Sequence, residues 1–403
     1  MMTTNHDDYE PSDGAHLVDL GPLGLDRGGH LLIERSLAAL APGERLRVIG
    51  TDPSLEVHVA AWARQLGHRV ERHPSLVLIR GDTNERRWAD GERAGVSAAV
   101  SDQAPATWGL AARGALVESG GPQLPGVDLD RKDMVWTDLA PMLYAQAAAN
   151  QWDPATAVDW TPPSLAPEIE AAVVQTMTYL VENEQTALLV SARFLGRVHP
   201  HYREISGFLA TQAADEARHV EVFSRRAGLC GQPVGISGAG GRASLQSLLD
   251  EPGWANASFL LSTLGEGTFL SLLSFLETYA PDPVTARITH LALADEARHV
   301  AFSLAHLGEH VTARPEHRDQ LRAALERRYH ALASTSGLAP AVHDSLVLLA
   351  ARSWEPEAIR AGWDAVQSLQ ADMEEGRRRR LVRLGFTEGE ATELARLHTR
   401  NFM

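Results

Sequence analysis

Cysteine is nearly missing: Cys230 is the only one in 403 residues. A single thiol excludes an intramolecular disulfide, and it excludes a Cys-ligated iron–sulfur cluster or a Cys-rich zinc site built by one chain. Aromatic residues are scarce at 6%, while alanine and leucine abound, a composition that favours helices. Positive charge is in deficit, with 37 Lys and Arg against 52 Asp and Glu and a formal net charge of −15. So acidic a surface argues against nucleic acid or anionic lipid as the main partner. There is no run of 18 apolar residues, so no membrane span is expected. The opening, Met1 to Glu10, is polar and acidic, unlike a signal peptide. The expectation is a soluble cytoplasmic protein of two or three domains, with 44% apolar and 22% charged residues to build a core and a surface.

What is present begins with a tail, 1–15, read as disordered. The stretch 16–83 then alternates element types. HLVDL (16–20) reads as a strand, GHLLIERSLAAL (29–40) as a helix stopped by Pro42-Gly43, and RLRVIGT (45–51) as a strand. SLEVHVAAWARQLGH (54–68) reads as a helix, and HRVERH with SLVLIRG as a hairpin. The order β-α-β-α-β-β makes a small α/β sandwich.

That segment resembles the TusA-like sulfur-carrier family, through its strand–helix opening and APGERLRVIGTDPSLEVHVAAWARQLGH (41–68). The family carries sulfur on a cysteine in a Cys-Pro-x-Pro turn opening the first helix. Here that turn is LGLDRGGH (23–30), with neither residue. Persulfide chemistry needs a thiolate, so the resemblance implies a degenerate copy serving as a docking or scaffold domain.

Residues 84–130, rich in Gly, Ala, Asp and Pro, read as a linker or wrapping segment. The pattern predicts one helix over 133–152, a helical bundle over 131–335 and a C-terminal helical extension over 336–403. The helices of 311–403 serve packing or dimerisation, so a homodimer is compatible with the sequence.

The string ADEARHV occurs twice, at 214–220 and 294–300, eighty residues apart. In each copy Glu and His fall on the stripe where apolar residues belong: Ile205, Leu209, Glu216 and Phe223 in one, Ile288, Ala292, Glu296 and His299 in the other. Burying a carboxylate alone is costly, so both copies call for a compensating charge. Glu-x-x-His spans about 300° of helix rotation, which projects both side chains from one face. A dimetal carboxylate bundle needs such a pair from two helices and one further Glu from each of two more. Glu184 interrupts the apolar stripe of Val173, Met177, Leu180 and Leu188, 32 residues before Glu216. Glu266 interrupts that of Phe259, Thr263, Leu270 and Leu273, 30 residues before Glu296. Glu182 is turned towards water, and Glu277 is the rival to Glu266. The expected ligands are Glu184, Glu216, His219, Glu266, Glu296 and His299. Four carboxylates balance two divalent ions, iron with iron or manganese with iron. Asp215 and Asp295 would accept from the ligand imidazoles, across the pseudo-twofold, and Arg218 and Arg298 would pair with those aspartates.

Residues 168–310 resemble the ferritin-like superfamily, in its larger di-iron oxygenase and oxidase branch, through the doubled Asp-Glu-x-Arg-His and the lead-in AAANQWDPATAVDW (147–160). The resemblance implies a mainly α fold, a ferritin-like four-helix bundle with extra helices, and use of dioxygen as co-substrate to oxidise a small organic molecule. Monooxygenase chemistry is the form seen in bacterial hydroxylase subunits with this motif. Several departures narrow it. The radical tyrosine of ribonucleotide reductase subunits is replaced by Phe223, with Ser303 as its counterpart. The extra histidine of arylamine N-oxygenases is Ala292. The threonine of multicomponent hydroxylases is Leu270, with Thr268 nearby. Phe194, Phe223, Phe269, Leu270 and Phe302 are expected to line an apolar pocket. The sequence shows no flavin or nicotinamide site, so an external donor such as a ferredoxin or reductase is implied. The alternatives are a ferroxidase or metal-handling protein, and a non-catalytic assembly protein docking through the α/β domain.

Three features read as structural. GISGAGGR (235–242) lacks the context of a phosphate loop and reads as a mobile inter-hairpin loop. RRRR (377–380), flanked by acid, reads as a solvated helix face rather than a nucleic-acid patch. His199 and His201, beside Pro200, mark a turn and are not expected to bind metal.

Overall fold

The computed structural model describes residues 15–72, 74–82, 88, 90–333 and 339–397, so the expected disordered tail lies almost wholly outside the described residues. Two compact units are formed, 1–98 with 107–123 and 99–106 with 124–403.

The N-terminal unit has the expected element order: β1 (His16–Asp19), α1 (Gly29–Ala38), β2 (Arg45–Ile49), α2 (Leu55–Gln65), β3 (Arg69–Glu71) and β4 (Val77–Ile79). The sheet order is β1-β2-β4-β3, with β1 parallel to β2 and the other pairs antiparallel. Alternation sets the buried face: Leu46 and Val48 of β2 are buried, while Arg45 and Arg47 are not. Ile33 and Leu37 of α1 and Val59 and Ala63 of α2 join them in one core. The region read as a linker has structure of its own, with β5 (Glu92–Arg93) paired to β6 (Leu116–Val117).

In the second unit, α3 (Lys132–Val135) and α4 (Ala140–Ala149) replace the single helix expected over 133–152. Two causes are visible. Pro141 has no N–H to continue a helix from before it. The Thr137 hydroxyl and the Asp138 N–H both donate to Glu309 Oε1, at 2.8 and 3.1 Å, instead of to a helical ladder. The main hairpins follow: α5 (Pro167–Leu195) with α6 (Arg203–Gly228), and α9 (Gly267–Tyr279) with α10 (Pro283–Ala313). Between them run α7 (Ala239–Leu249), α8 (Trp254–Ser258) and a π-helical stretch, Phe259–Glu266, that leads directly into α9. Thus Ala239 to Arg242 of the supposed Gly-rich loop belong to a helix. α11 (Glu316–Leu332), α12 (Pro340–Ala351), α13 (Pro356–Arg383) and α14 (Glu388–Arg396) complete the unit. Trp254–Tyr279 is long and apolar enough to cross a membrane, with mean hydropathy 1.5, but 83% of that window is buried inside the protein.

A buried ion network ties three bundle helices. Arg226 of α6 donates to both oxygens of Glu170 on α5, at 2.7 and 2.8 Å. It also donates to Asp282 (2.9 Å) and to the Thr285 hydroxyl (3.0 Å). Asp282 caps α10 by accepting from Thr285 N at 2.9 Å. The Arg377–Arg380 run departs from the expected solvated face. Arg378 and Arg379 pair with Glu375, but Arg377 and Arg380 are buried. Positions i and i+3 share a helix face, and here that face packs on α9. Gly267 makes room: a Cβ there would lie 2.5 Å from Arg380 Nε.

Candidate metal centre

Six side chains converge between the two hairpins. α5 brings Glu184, α6 brings Glu216 and His219, and α10 brings Glu296 and His299, while Glu266 closes the π-helical stretch. All are buried, none more than 5% exposed. They form two groups, each with donor atoms within 4.8 Å of one another: Glu184, Glu216, His219 and Glu296, and Glu216, Glu266, Glu296 and His299. Glu216 and Glu296 are common to both. Glu184 and His219 would hold one ion and Glu266 and His299 a second, with Glu216 and Glu296 within reach of both.

Both imidazoles turn Nδ1 inward. His219 Nδ1 lies 3.2 Å from Glu296 and 3.4 Å from Glu184; His299 Nδ1 lies 3.2 Å from Glu216 and 3.4 Å from Glu296. Each Nε2 faces the aspartate of the opposite half. His219 Nε2 is 3.2 Å from Asp295, and His299 Nε2 is 3.2 Å from Asp215. Arg218 and Arg298 each contact both aspartates. Such outer partners fix the tautomer and the ring orientation. Two consecutive residues missed in the sequence complete the arrangement. Trp152 Nε1 donates to Asp295 (2.8 Å), and Gln151 Nε2 to Asp215 (3.3 Å). Arg218 also stacks on Trp152, 5.1 Å from the ring centroid. Gln212 of α6 donates to Glu266 Oε1 at 3.2 Å.

The electrostatics fit a pair of cations. Glu184 Oε1, Glu266 Oε2, both oxygens of Glu216 and of Glu296, and His299 Nδ1 are buried without a hydrogen-bond partner among the described residues. Burial, and then the Glu296 carboxylate, push Glu184 and Glu266 well above the usual carboxylate range. Burial works against ionising Glu216 too, but His299 and His219 outweigh it and hold that group low. Burial likewise opposes charging His219 and His299. Asp295 for the first and Glu296 for the second lead the groups that outweigh it, raising both imidazoles. Two divalent ions would balance four carboxylates and engage the orphaned oxygens.

The remaining candidates are placed elsewhere. Glu182 is half-buried, and Glu277 pairs with His290 at 3.0 Å. His201 accepts from Ser101 N and His199 from His201 N. A cavity of about 20 Å³ adjoins the cluster, lined by Glu184, Glu266 and Glu296 and by Ala187, Leu245, Leu248, Leu261 and Phe269. Of the five expected lining residues it has only Phe269. Phe223 packs beside the His219 ring (6.2 Å), Phe302 stacks on Phe208 (4.1 Å) and Phe194 meets Trp254 (5.2 Å). Leu270 lies in a separate groove with Ser271 and Phe275. Ser303 Oγ is 2.8 Å from Thr263 Oγ1 and 3.0 Å from Ser258 Oγ, which anchors the π-helical stretch to α10.

Comparison with models of protein families gives no match, and comparison with curated proteins gives none. Solved structures do match. A mutant of an R2-like ligand-binding oxidase with an aerobically reconstituted Fe/Fe cofactor is 18% identical, with a TM-score of 0.50, over 62% of this chain and 95% of that one. Another mutant, with an anaerobically reconstituted Mn/Fe cofactor, is 17% identical with the same score and coverage. The chain shares their ferritin-like, R2-type helical fold.

Proposed function

We propose that this chain is a dioxygen-activating, non-haem dimetal oxidase or oxygenase acting on a small organic substrate. The observation that carries it is the buried Glu4His2 cluster, divided into two groups that share Glu216 and Glu296. Fe/Fe and Mn/Fe cofactors are those of the structural neighbours. When bound, such a pair supplies reductive activation of dioxygen.

The protein's part is to hold and to exclude. Glu184 with His219 would hold one ion, and Glu266 with His299 the other. Asp295 and Asp215 keep the ligand imidazoles with Nδ1 inward and the proton on Nε2. Ala187, Leu245, Leu248, Leu261 and Phe269 keep the adjoining cavity apolar, and its volume of about 20 Å³ admits about one water-sized molecule. Placing one oxygen atom in a substrate and releasing the other as water takes two electrons and two protons from outside. A ferredoxin or reductase is the donor class proposed.

The test loads the full chain with Fe(II) without oxygen, counts metal, then admits dioxygen and follows its uptake and the visible spectrum. Two irons per chain, with both uptake and the spectral change lost in Glu216→Ala, support the reading. Ferric iron accumulating well beyond two per chain would point to metal handling instead. No stoichiometric binding would sink the dimetal reading.

A further inference from the structure

A second charged feature lies in the N-terminal unit and has no part in the metal centre. In a chain with net charge −15, one groove of about 1010 Å³ is lined, among the described residues, by four arginines, Arg64, Arg69, Arg72 and Arg80, and by one carboxylate, Asp82. Arg72 lies 3.7 Å from Glu56. Among the described residues, Arg64 and Arg69 have no carboxylate partner, and both are exposed. The lining also includes backbone. Gly43 and Gly67 adopt φ of +90° and +83°, with open space where a Cβ would sit. Gly81 lies so close to Gly67 that a Cβ would be 2.1 Å from its carbonyl oxygen. His68 is fixed by accepting from Gly81 N at 3.0 Å, which leaves the ring proton on Nε2 as a donor.

We propose that this groove docks an extended, acidic polypeptide segment of a partner protein. Guanidinium groups pair with carboxylates in a bidentate fashion. The volume is at the top of the range for small-molecule pockets, roughly 300–1,000 Å³, and is too large for one oxyanion. Among the described residues no Phe, Tyr or Trp lines the groove, so these residues offer no stacking platform for a nucleotide base. Arg69 and the adjoining Val70 belong to β3, the last strand of the sheet. A polypeptide can extend such an edge, its alternate side chains reaching the flanking arginines. The proposal is independent of whether the metal centre binds ions.

The test uses the full chain and a fluorescent octapeptide of alternating glutamate and valine, read by anisotropy. Saturable binding that weakens with salt is expected. Arg64→Glu with Arg69→Glu weakens it tenfold or more. Arg27→Glu with Arg35→Glu, both exposed on the same unit outside the groove, changes it less than twofold. Circular dichroism confirms that both variants stay folded. The proposal is overturned by no binding at millimolar peptide, by equal binding of the glutamine-for-glutamate peptide or by equal losses in the two variants. It is also overturned if tripolyphosphate binds at these arginines and the peptide does not.

Discussion

Replacing Arg226 by Met tests how the bundle is held. The guanidinium is fully buried and serves two carboxylates, Glu170 and Asp282, and one hydroxyl, Thr285. Methionine keeps much of the volume and removes the charge. A carboxyl stranded without its counter-ion escapes by taking up a proton. From an ordinary value near 4 this costs about 4 kcal/mol at pH 7 and about 1.4 kcal/mol at pH 5. Asp282 retains two donors from Thr285, at 2.7 and 2.9 Å, at the start of α10, so Glu170 bears most of the penalty. Arg226→Met is therefore expected to lose about 3–5 kcal/mol at pH 7 and 2–3 kcal/mol less than that at pH 5. Adding Glu170→Gln should restore most of the deficit. Urea titrations of the metal-free chain at both pH values measure this. A deficit unchanged between pH 7 and 5, or a double variant no better than the single, would refute the charge argument and leave only lost packing.

Three further outcomes are expected. Asp295→Asn should weaken the ion held by His219, and Asp215→Asn that held by His299, by about 10–100-fold; metal titrations in His219→Ala and His299→Ala backgrounds should show each Asp coupled to the His of the other half. Gly267→Ala should destabilise by about 1–3 kcal/mol, because its Cβ meets Arg380, and Arg380→Ala should relieve that loss in a thermal melt. Burial, and then His310, push His306 down to about 3. The folded state refuses there a proton that the unfolded state accepts below about 6.5. Stability from this group is complete above pH 6.5 and falls as the pH drops towards 3, by up to about 1.4 kcal/mol per unit. His306→Phe should flatten that slope in melts between pH 7 and 5, and an unchanged slope would count against it.

The six cluster residues were legible because a duplicated string fixed Glu216, His219, Glu296 and His299, and a carboxylate broke an apolar stripe at Glu184 and Glu266. The α/β element order was legible from alternation and turn residues. The π-helical stretch was not: all eight of its residues are buried, polar and apolar alike, so the wider turn leaves no exposed face to mark it in the pattern. Trp152 and Gln151 lie just past α4, where periodicity gives no information, and their partners are over 60 residues away. The sequence pattern puts both at the end of a helix over 133–152 and within the lead-in 147–160, which assigns neither a contact. The arginine run misled for a different reason. Charge predicts exposure, and nothing local to 377–380 reveals that Gly267 opens space for a guanidinium. Pro141 did carry the signal for the break after α3, but helical spacing on both sides concealed it.

The crossed Asp–His pairing has a consequence for how this chain can vary. Each hairpin owns an imidazole that it cannot orient by itself, and an aspartate that does nothing for its own imidazole. The arrangement is that of a homodimer written into one polypeptide. A substitution at either aspartate disarms the other repeat, so neither copy can diverge alone. That mutual dependence is a physical reason for two strings eighty residues apart to agree letter for letter.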